Sequence, residues 1–234
     1  MKAIIFDCDG VLIDSELIYK SSEREFLEKV GLTYNPVEFF RRFMGVSEEH
    51  FFEMAGNDHH AKHGTPLPAD FRTNLLANQK KRFEEELKTI AGIDAMLHDL
   101  SHVTRAVASS SPIDSLHRKL EMTALKPHFG DHIYSASHVK FGKPKPDLFL
   151  YAAEKIGMDP KDCLVIEDSE NGVLAGLAAG MTVVGFTGGG HCHDLHHESL
   201  SKTGAHKIAH SAAELHTMLL GLFTPAPDAR LSLA

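Results

Sequence analysis

Four short polar clusters carry residue types that could do chemistry. Asp7 and Asp9 flank Cys8 and precede Gly10. Two carboxylates two residues apart suit a hard cation such as Mg2+, which takes oxygen ligands and keeps waters for a phosphate. One of them could instead act as a nucleophile and the other as an acid/base. The same residues also fit a plain strand-end turn with solvated aspartates. Glu167 and Asp168 repeat the acidic pattern further along. If the fold brings the two pairs together they repel one another, and a divalent cation resolves the repulsion. Ser109, Ser110 and Ser111 precede Pro112. Ser111 as N-cap, Pro112 in the first turn and Asp114 three residues on mark the start of a helix running to about Leu125. A hydroxyl such as that of Ser109 beside a helix N-terminus is an anion site. In Lys143-Pro144-Lys145-Pro146-Asp147 the prolines stiffen the backbone, so Lys143 can be aimed at a phosphate and at Asp7. Lys145 reads as solvated.

The 17 histidines stand out. His191-Cys192-His193-Asp194, followed by His196-His197, puts metal-binding types close together. The spacing matches no standard Cys/His zinc pattern, so the expectation for 191–197 is a surface loop rather than a structural metal site. His59, His60 and His63 read as a similar polar loop within 57–68. Cys8 and Cys163 read as small core residues.

The clusters need elements to position them, and all but the Lys143 loop follow an apolar run. Residues 3–6, 104–108, 132–135, 163–166, 181–186 and 207–209 read as strands. Helical patterns at about 93–100, 112–125, 146–156, 171–179 and 212–222 separate them. Strands alternating with helices imply a parallel sheet covered on both faces. In such sheets ligands bind outside the carboxyl ends of the strands, where Asp7/Asp9, Ser109, Glu167/Asp168 and the triple glycine 188–190 fall. Residues 15–90 contain no strand-like run. They read as helical from 15 to 32, with Gly31 as C-cap, from 36 to 56 with Gly45 interrupting, and from 69 to 89. The expected organisation is an α/β core of residues 1–14 and 91–223 with a helical insertion at 15–90. The tail, 224–234, holds two prolines and is expected to fray.

Composition narrows the function classes. The chain has 234 residues, 43% of them hydrophobic and 24% charged, which is ordinary globular usage. A net charge of -8 disfavours a nucleic-acid partner. Three cysteines are too few and too scattered for a disulfide framework, which fits a reducing cytoplasm. The apolar runs fall short of the ~20 residues of a membrane helix. The N-terminus turns acidic too soon for a signal peptide. A monomer is the default expectation.

Together the clusters resemble the four motifs of the haloacid dehalogenase-like hydrolases. The first is similar to Phe6-Asp7-Cys8-Asp9-Gly10-Val11-Leu12-Ile13-Asp14-Ser15-Glu16, the second to Ala106-Val107-Ala108-Ser109. The third is similar to Gly142-Lys143-Pro144-Lys145-Pro146-Asp147, the fourth to Val165-Ile166-Glu167-Asp168-Ser169. The helical insertion resembles the family's cap, in the branch of β-phosphoglucomutases and sugar phosphatases. The resemblance implies a Rossmann-like doubly wound core and an aspartyl-phosphate mechanism. Asp7 would be the nucleophile and Asp9 the acid/base. The carboxylates of Asp7 and Asp168 and the backbone carbonyl of Asp9 would hold Mg2+, with Glu167 a ligand or its close partner. Ser109, Ser110 and Lys143 would bind the phosphoryl group of a small phosphate ester, and Lys143 would also neutralise Asp7. From charge and location, Arg42 and Lys81 are cap candidates for gripping substrate, with Arg41 and Lys80 beside them. An aspartate at position 9 argues against dehalogenation and phosphonate cleavage. Gly45-Val46-Ser47 resembles a segment of the mutase, which continues with an arginine for a second phosphate. Here Glu48 follows, which favours a phosphatase over a hexose-phosphate mutase, the alternative reading.

Overall fold

The computed structural model describes residues 1–43, 46, 48–192 and 195–223. Six parallel strands form one sheet in the order β3-β2-β1-β4-β5-β6. They are β1 (Ala3–Phe6), β2 (Thr104–Ser109), β3 (Ile133–Ser135), β4 (Cys163–Glu167), β5 (Thr182–Phe186) and β6 (Lys207–Ala209). Every residue of β1 and β4 is buried, the mark of strands covered on both faces. Their side chains alternate between two apolar cores. Ile4, Phe6, Val107 and Ile166 face one core, and Ala3, Ile5, Ala106 and Val165 face the other. Helices α5 (Ile93–Asp99), α6 (Ile113–Met122) and α10 (Ala212–Phe223) supply the first core. Helices α7 (Asp147–Lys155), α8 (Glu170–Ala178) and α9 (His196–Thr203) supply the second.

Register decides what meets at the sheet's end. Phe6 is level with Val107 of β2 and with Ile166 of β4. One residue further on, Asp7 therefore lies between the ends of β2 and β4, level with Glu167. Strand order turns back at β1, with β2 on one side and β4 on the other, and such a switch point opens a crevice.

Between β1 and α5 come four helices: α1 (Ser15–Lys29), α2 (Pro36–Phe43), α3 (Glu48–His63) and α4 (Phe71–Glu86). They enclose an aromatic core of their own, with Phe39, Phe43, Phe51 and Phe71 beside Leu27 and Leu75. Phe43 and Phe51 meet edge to face at 5.3 Å, the favoured geometry for aromatic pairs. The C-cap of α1 is Val30 rather than Gly31, and Gly31 follows it at φ +78°, where a side chain would be strained. The entry to and exit from this helical unit are tied together. Ile13 bridges Thr89, Asp14 N–H donates to the carbonyl of Lys88 at 3.0 Å, and Ile90 N–H donates to that of Leu12 at 3.1 Å. Among the described residues no helix is long and apolar enough to cross a membrane.

Three other local expectations need correction. Residues 57–63 are not a loop but the last turns of α3. Phe51, Ala55 and His59 fall four apart and are buried together on one face, so periodicity prevails over the polarity of His59. The ring of His59 finds a partner through Nδ1, 2.9 Å from the carbonyl oxygen of Thr65. His196 and His197 likewise open a helix, α9, anchored by the buried Leu200. Finally, α6 ends at Met122 and has Pro112, not Ser111, at its N-cap position. His193, Asp194, Gly45, Ser47 and the tail from 224 lie outside the described residues.

Candidate active site

The carboxyl ends of β1, β2 and β4 enclose a cavity of about 920 Å3. Asp7, Asp9, Ser109, Ser110, Lys143 and Asp168 all line it. Lys143, buried at the end of its proline-flanked loop, lies 2.5 Å from Asp7 Oδ1 and 2.5 Å from Glu167 Oε1. It also donates to the carbonyl of Ala108 at 3.0 Å. Burial works against its ammonium, but Asp7 and Glu167 outweigh it and hold Lys143 above its ordinary range. The pKa of Asp7 is raised too, which for a carboxyl disfavours the charged form. Burial pushes its carboxyl well up; Lys143 opposes this, while Glu167, Asp168 and Asp9 add to it.

Asp9 lies in a different setting. Its Oδ1 accepts from Ser15 at 2.5 Å and from Lys119 at 2.6 Å, and its Oδ2 accepts from Ser111 at 2.9 Å. Burial alone would raise its pKa; the charge and hydrogen bond of Lys119, with Ser15 and Ser111, bring it below the usual carboxylate value. Two aspartates two residues apart are thus driven in opposite directions, an arrangement that separates the roles of paired acids.

The acidic pair after β4 is held from behind. Glu167 Oε2 accepts from the backbone N–H of Ser169 at 3.1 Å and from its hydroxyl at 2.9 Å. A Cβ at Gly172 would collide with the Glu167 carboxylate, and one at Gly10 would collide with that of Asp168. The two glycines make room for the acids. His191, almost fully buried, places Nε2 3.1 Å from Asp168 Oδ2. Burial opposes its charge, but Asp168 and Cys192 push its pKa up to about 11.

Carboxylate oxygens of Asp7, Glu167 and Asp168 lie within 4.8 Å of one another. All-oxygen donors at that spacing fit Mg2+; burial is the main cause of the raised Asp7 pKa, and the neighbouring Glu167, Asp168 and Asp9 add repulsion that a cation would relieve. The carboxylate of Asp9 is turned to Ser15, Ser111 and Lys119 instead, so Asp9 could join that set only through its backbone carbonyl. Arg42 and Lys81 are not among the residues lining the cavity. Arg42 is exposed and paired with Asp58, and Lys81 lies 3.9 Å from Glu85 on its own helix. The side chain of Arg41 lies outside what the structure describes.

Sequence reasoning missed Lys119, Ser15, the role of Ser111, and His191. Lys119 did leave a signal, because it shares the buried face of α6 with Leu116 and Leu120. A lysine on an apolar stripe needs a buried partner. His191 left none, since only the tertiary fold carries its loop to Asp168.

The comparisons agree with this geometry. The model of the haloacid dehalogenase-like hydrolases matches residues 1–180. The chain is 28% identical over 201 residues to a 6-phosphogluconate phosphatase of Escherichia coli, covering 86% of each. It is 31% identical to a phosphorylated carbohydrates phosphatase of Thermotoga maritima, covering 77% of this chain and 82% of that one. A crystal structure of a HAD family hydrolase from Deinococcus radiodurans, with bound phosphate and sodium, superposes with a TM-score of 0.85 at 35% identity. It covers 97% of this chain and 99% of the other. Motifs at the ends of β1, β2 and β4, the Lys143 loop brought to them, the six-stranded order and these matches place the chain in the haloacid dehalogenase-like hydrolase family.

Proposed function

We propose that the chain is a Mg2+-dependent phosphatase of small phosphorylated carbohydrates, working through an aspartyl-phosphate on Asp7. The observation that carries this reading is the bifurcated contact of Lys143, 2.5 Å from both Asp7 and Glu167, beside an Asp9 held separately by Lys119. Relatives named as phosphatases of 6-phosphogluconate and of phosphorylated carbohydrates support it.

Asp7, Glu167 and Asp168 would hold Mg2+, with the carbonyl of Asp9 as a further ligand. The bound ion supplies positive charge that balances the carboxylate cluster and stabilises the phosphoryl oxygens. Lys143 orients Asp7 and adds a second positive charge where the phosphoryl group lies. Ser109 and Ser110, at the end of β2, offer hydrogen bonds to the same group. Asp7 then attacks phosphorus, and the ester oxygen departs with a proton from Asp9. In the second half Asp9 takes a proton from water, which attacks the aspartyl-phosphate and releases phosphate. Lys119, with Ser15 and Ser111, keeps the Asp9 carboxyl below its usual value, which favours the form that accepts that proton. To act as acid in the first half it must loosen its contact with Lys119. Positioning and electrostatics of this kind carry most of phosphoryl-transfer catalysis.

Residues 1–14 and 91–223 would form the catalytic core and 15–90 a cap that excludes water. Glu16 and Tyr19 of α1 already line the cavity. A mutase has to grip a second phosphate from the cap. At position 48 this chain offers a glutamate, 2.8 Å from Arg72, a pair without net positive charge. The decisive assay is phosphate release from a panel of sugar phosphates, with Mg2+ or with EDTA, beside Asp7→Asn. Mg2+-dependent release that the variant loses is the expected result. Bisphosphate-dependent interconversion of hexose phosphates without release would overturn it in favour of the mutase.

A further inference from the structure

The contacts of His191 exceed what holding one carboxylate requires. Its Nε2 faces Asp168 Oδ2 at 3.1 Å and Cys192 Sγ at 3.5 Å. Its other nitrogen, Nδ1, is buried and has no hydrogen-bond partner among the described residues. The purpose of burying this imidazole therefore lies at Nε2. His196 approaches the same point, its ring centroid 5.6 Å from that of His191. A ring nitrogen of His191, Cys192 Sγ and a ring nitrogen of His196 all lie within 4.8 Å of one another.

We propose that His191, Cys192 and His196, together with the Asp168 carboxylate, form a second cation site for a soft divalent ion such as Zn2+. With Zn–N near 2.0–2.1 Å, Zn–S near 2.3 Å and tetrahedral angles, the N–S edge is about 3.5 Å and the N–O edge about 3.4 Å. The observed separations of 3.5 and 3.1 Å are close to those edges. Thiolate and imidazole select such an ion over Mg2+, which prefers the oxygen cluster beside it. His196 donates through Nε2 to the backbone carbonyl of Asp168 at 2.6 Å, the hydrogen bond by which ligating imidazoles are commonly aimed. Cys192 is partly exposed, and both histidines line the cavity, so the ion has a path in. Ligation displaces protons from thiol and imidazole.

Asp168 belongs to both ligand sets, so an ion held by the His/Cys group draws a carboxylate away from the Mg2+ site. Zn2+ then acts as an inhibitor of phosphate release. That consequence rests on the phosphatase reading; the site itself does not.

The test titrates the metal-free full chain with Co2+, a coloured stand-in for Zn2+, beside Cys192→Ser and His196→Asn. We expect one equivalent to give a thiolate-to-cobalt band that Zn2+ abolishes, that Mg2+ leaves intact and that Cys192→Ser lacks. His196→Asn weakens Co2+ binding. Cys192→Ser retains Mg2+-dependent phosphate release but needs about tenfold more Zn2+, or beyond, for inhibition. A missing thiolate band, or equal inhibition of wild type and Cys192→Ser by Zn2+, would overturn the proposal. A cobalt band in a protein that releases phosphate from no substrate would sink the phosphatase reading and leave the site standing.

Discussion

The sheet end and the helical unit above it use charge in different ways. At the sheet end, Lys143 and Lys119 have side chains only 4% and 6% exposed, and each is set on an aspartate of the first loop. In the helical unit, Arg42 is 41% exposed and Lys81 is 71% exposed, and each pairs with a carboxylate of the same unit. A lysine buried against a carboxylate is costly to disturb, because removing one partner leaves the other charge stranded. An exposed pair is screened by water and contributes about 0–1 kcal/mol. The lesson is that charge and rough location do not find the working cations; burial with a defined partner at the cavity does, a condition the buried Lys20–Glu23 pair of the helical unit does not meet. Lys119 emerges on that criterion, and Arg42 and Lys81 do not.

Substitutions can break or sharpen this contrast. The largest effect is expected for Asp7→Asn, which should reduce kcat by several orders of magnitude, as removal of a nucleophile does. The same variant gives a second readout. Ionised Asp7 is disfavoured in the fold, so its folded pKa lies above the unfolded value near 3.9. Such a group costs stability in full at pH above its raised folded value, and the cost fades as pH falls from there to the unfolded value. In EDTA at pH 7, Asp7→Asn should therefore melt at a higher temperature than wild type, and in Mg2+ the gap should close or reverse. A lower melting temperature in EDTA would show that the Lys143 contact outweighs the cost of burial and repulsion.

Lys143→Met should destabilise the fold by about 3–5 kcal/mol, since it strands Asp7 and Glu167 in the interior. Urea unfolding at neutral pH in EDTA measures this. A loss under 1 kcal/mol would mean that water reaches those carboxylates. Phe51→Ala removes a ring from the aromatic core of the helical unit and should cost about 3–5 kcal/mol, without altering Mg2+ affinity measured by calorimetry. Lys119→Met should lower kcat by roughly tenfold to a hundredfold with a smaller change in KM, because it releases the acid/base Asp9 rather than the substrate. A change confined to KM would instead place Lys119 on the substrate.

The smallest effects belong to Arg42→Ala and Lys81→Ala. Each should shift stability by no more than about 1 kcal/mol and leave KM for a sugar phosphate within about twofold, a shift worth under 1 kcal/mol. A tenfold rise in KM for either would erase the contrast and return the cap cations to the substrate site.

The division between what local pattern and assembly reveal runs through particular residues. Asp7, Ser109, Glu167 and Asp168 were legible because each follows a short apolar run, and a parallel sheet must deliver strand ends to one side; Lys143 was legible from its stiff proline-containing loop. Ser111 was legible as a polar residue near a helix start but not as a donor to Asp9. His59 was misread because its polarity suggested a loop, whereas its four-residue spacing from Phe51 and Ala55 placed it inside α3. His196 was misread in the same way.

By itself, the sequence determined the alternation of strand and helix, the helical insertion after β1 and the four polar clusters, since each depends on neighbours within a few residues. Only the tertiary structure decided the partners. Lys119 and Asp9 are 110 positions apart, and Lys143 and Asp7 are 136 apart. Such contacts exist because register sets the ends of β1, β2 and β4 level and the crossover helices return their loops to one crevice. No local pattern encodes that convergence, and burial there decides which charged groups are forced to pair.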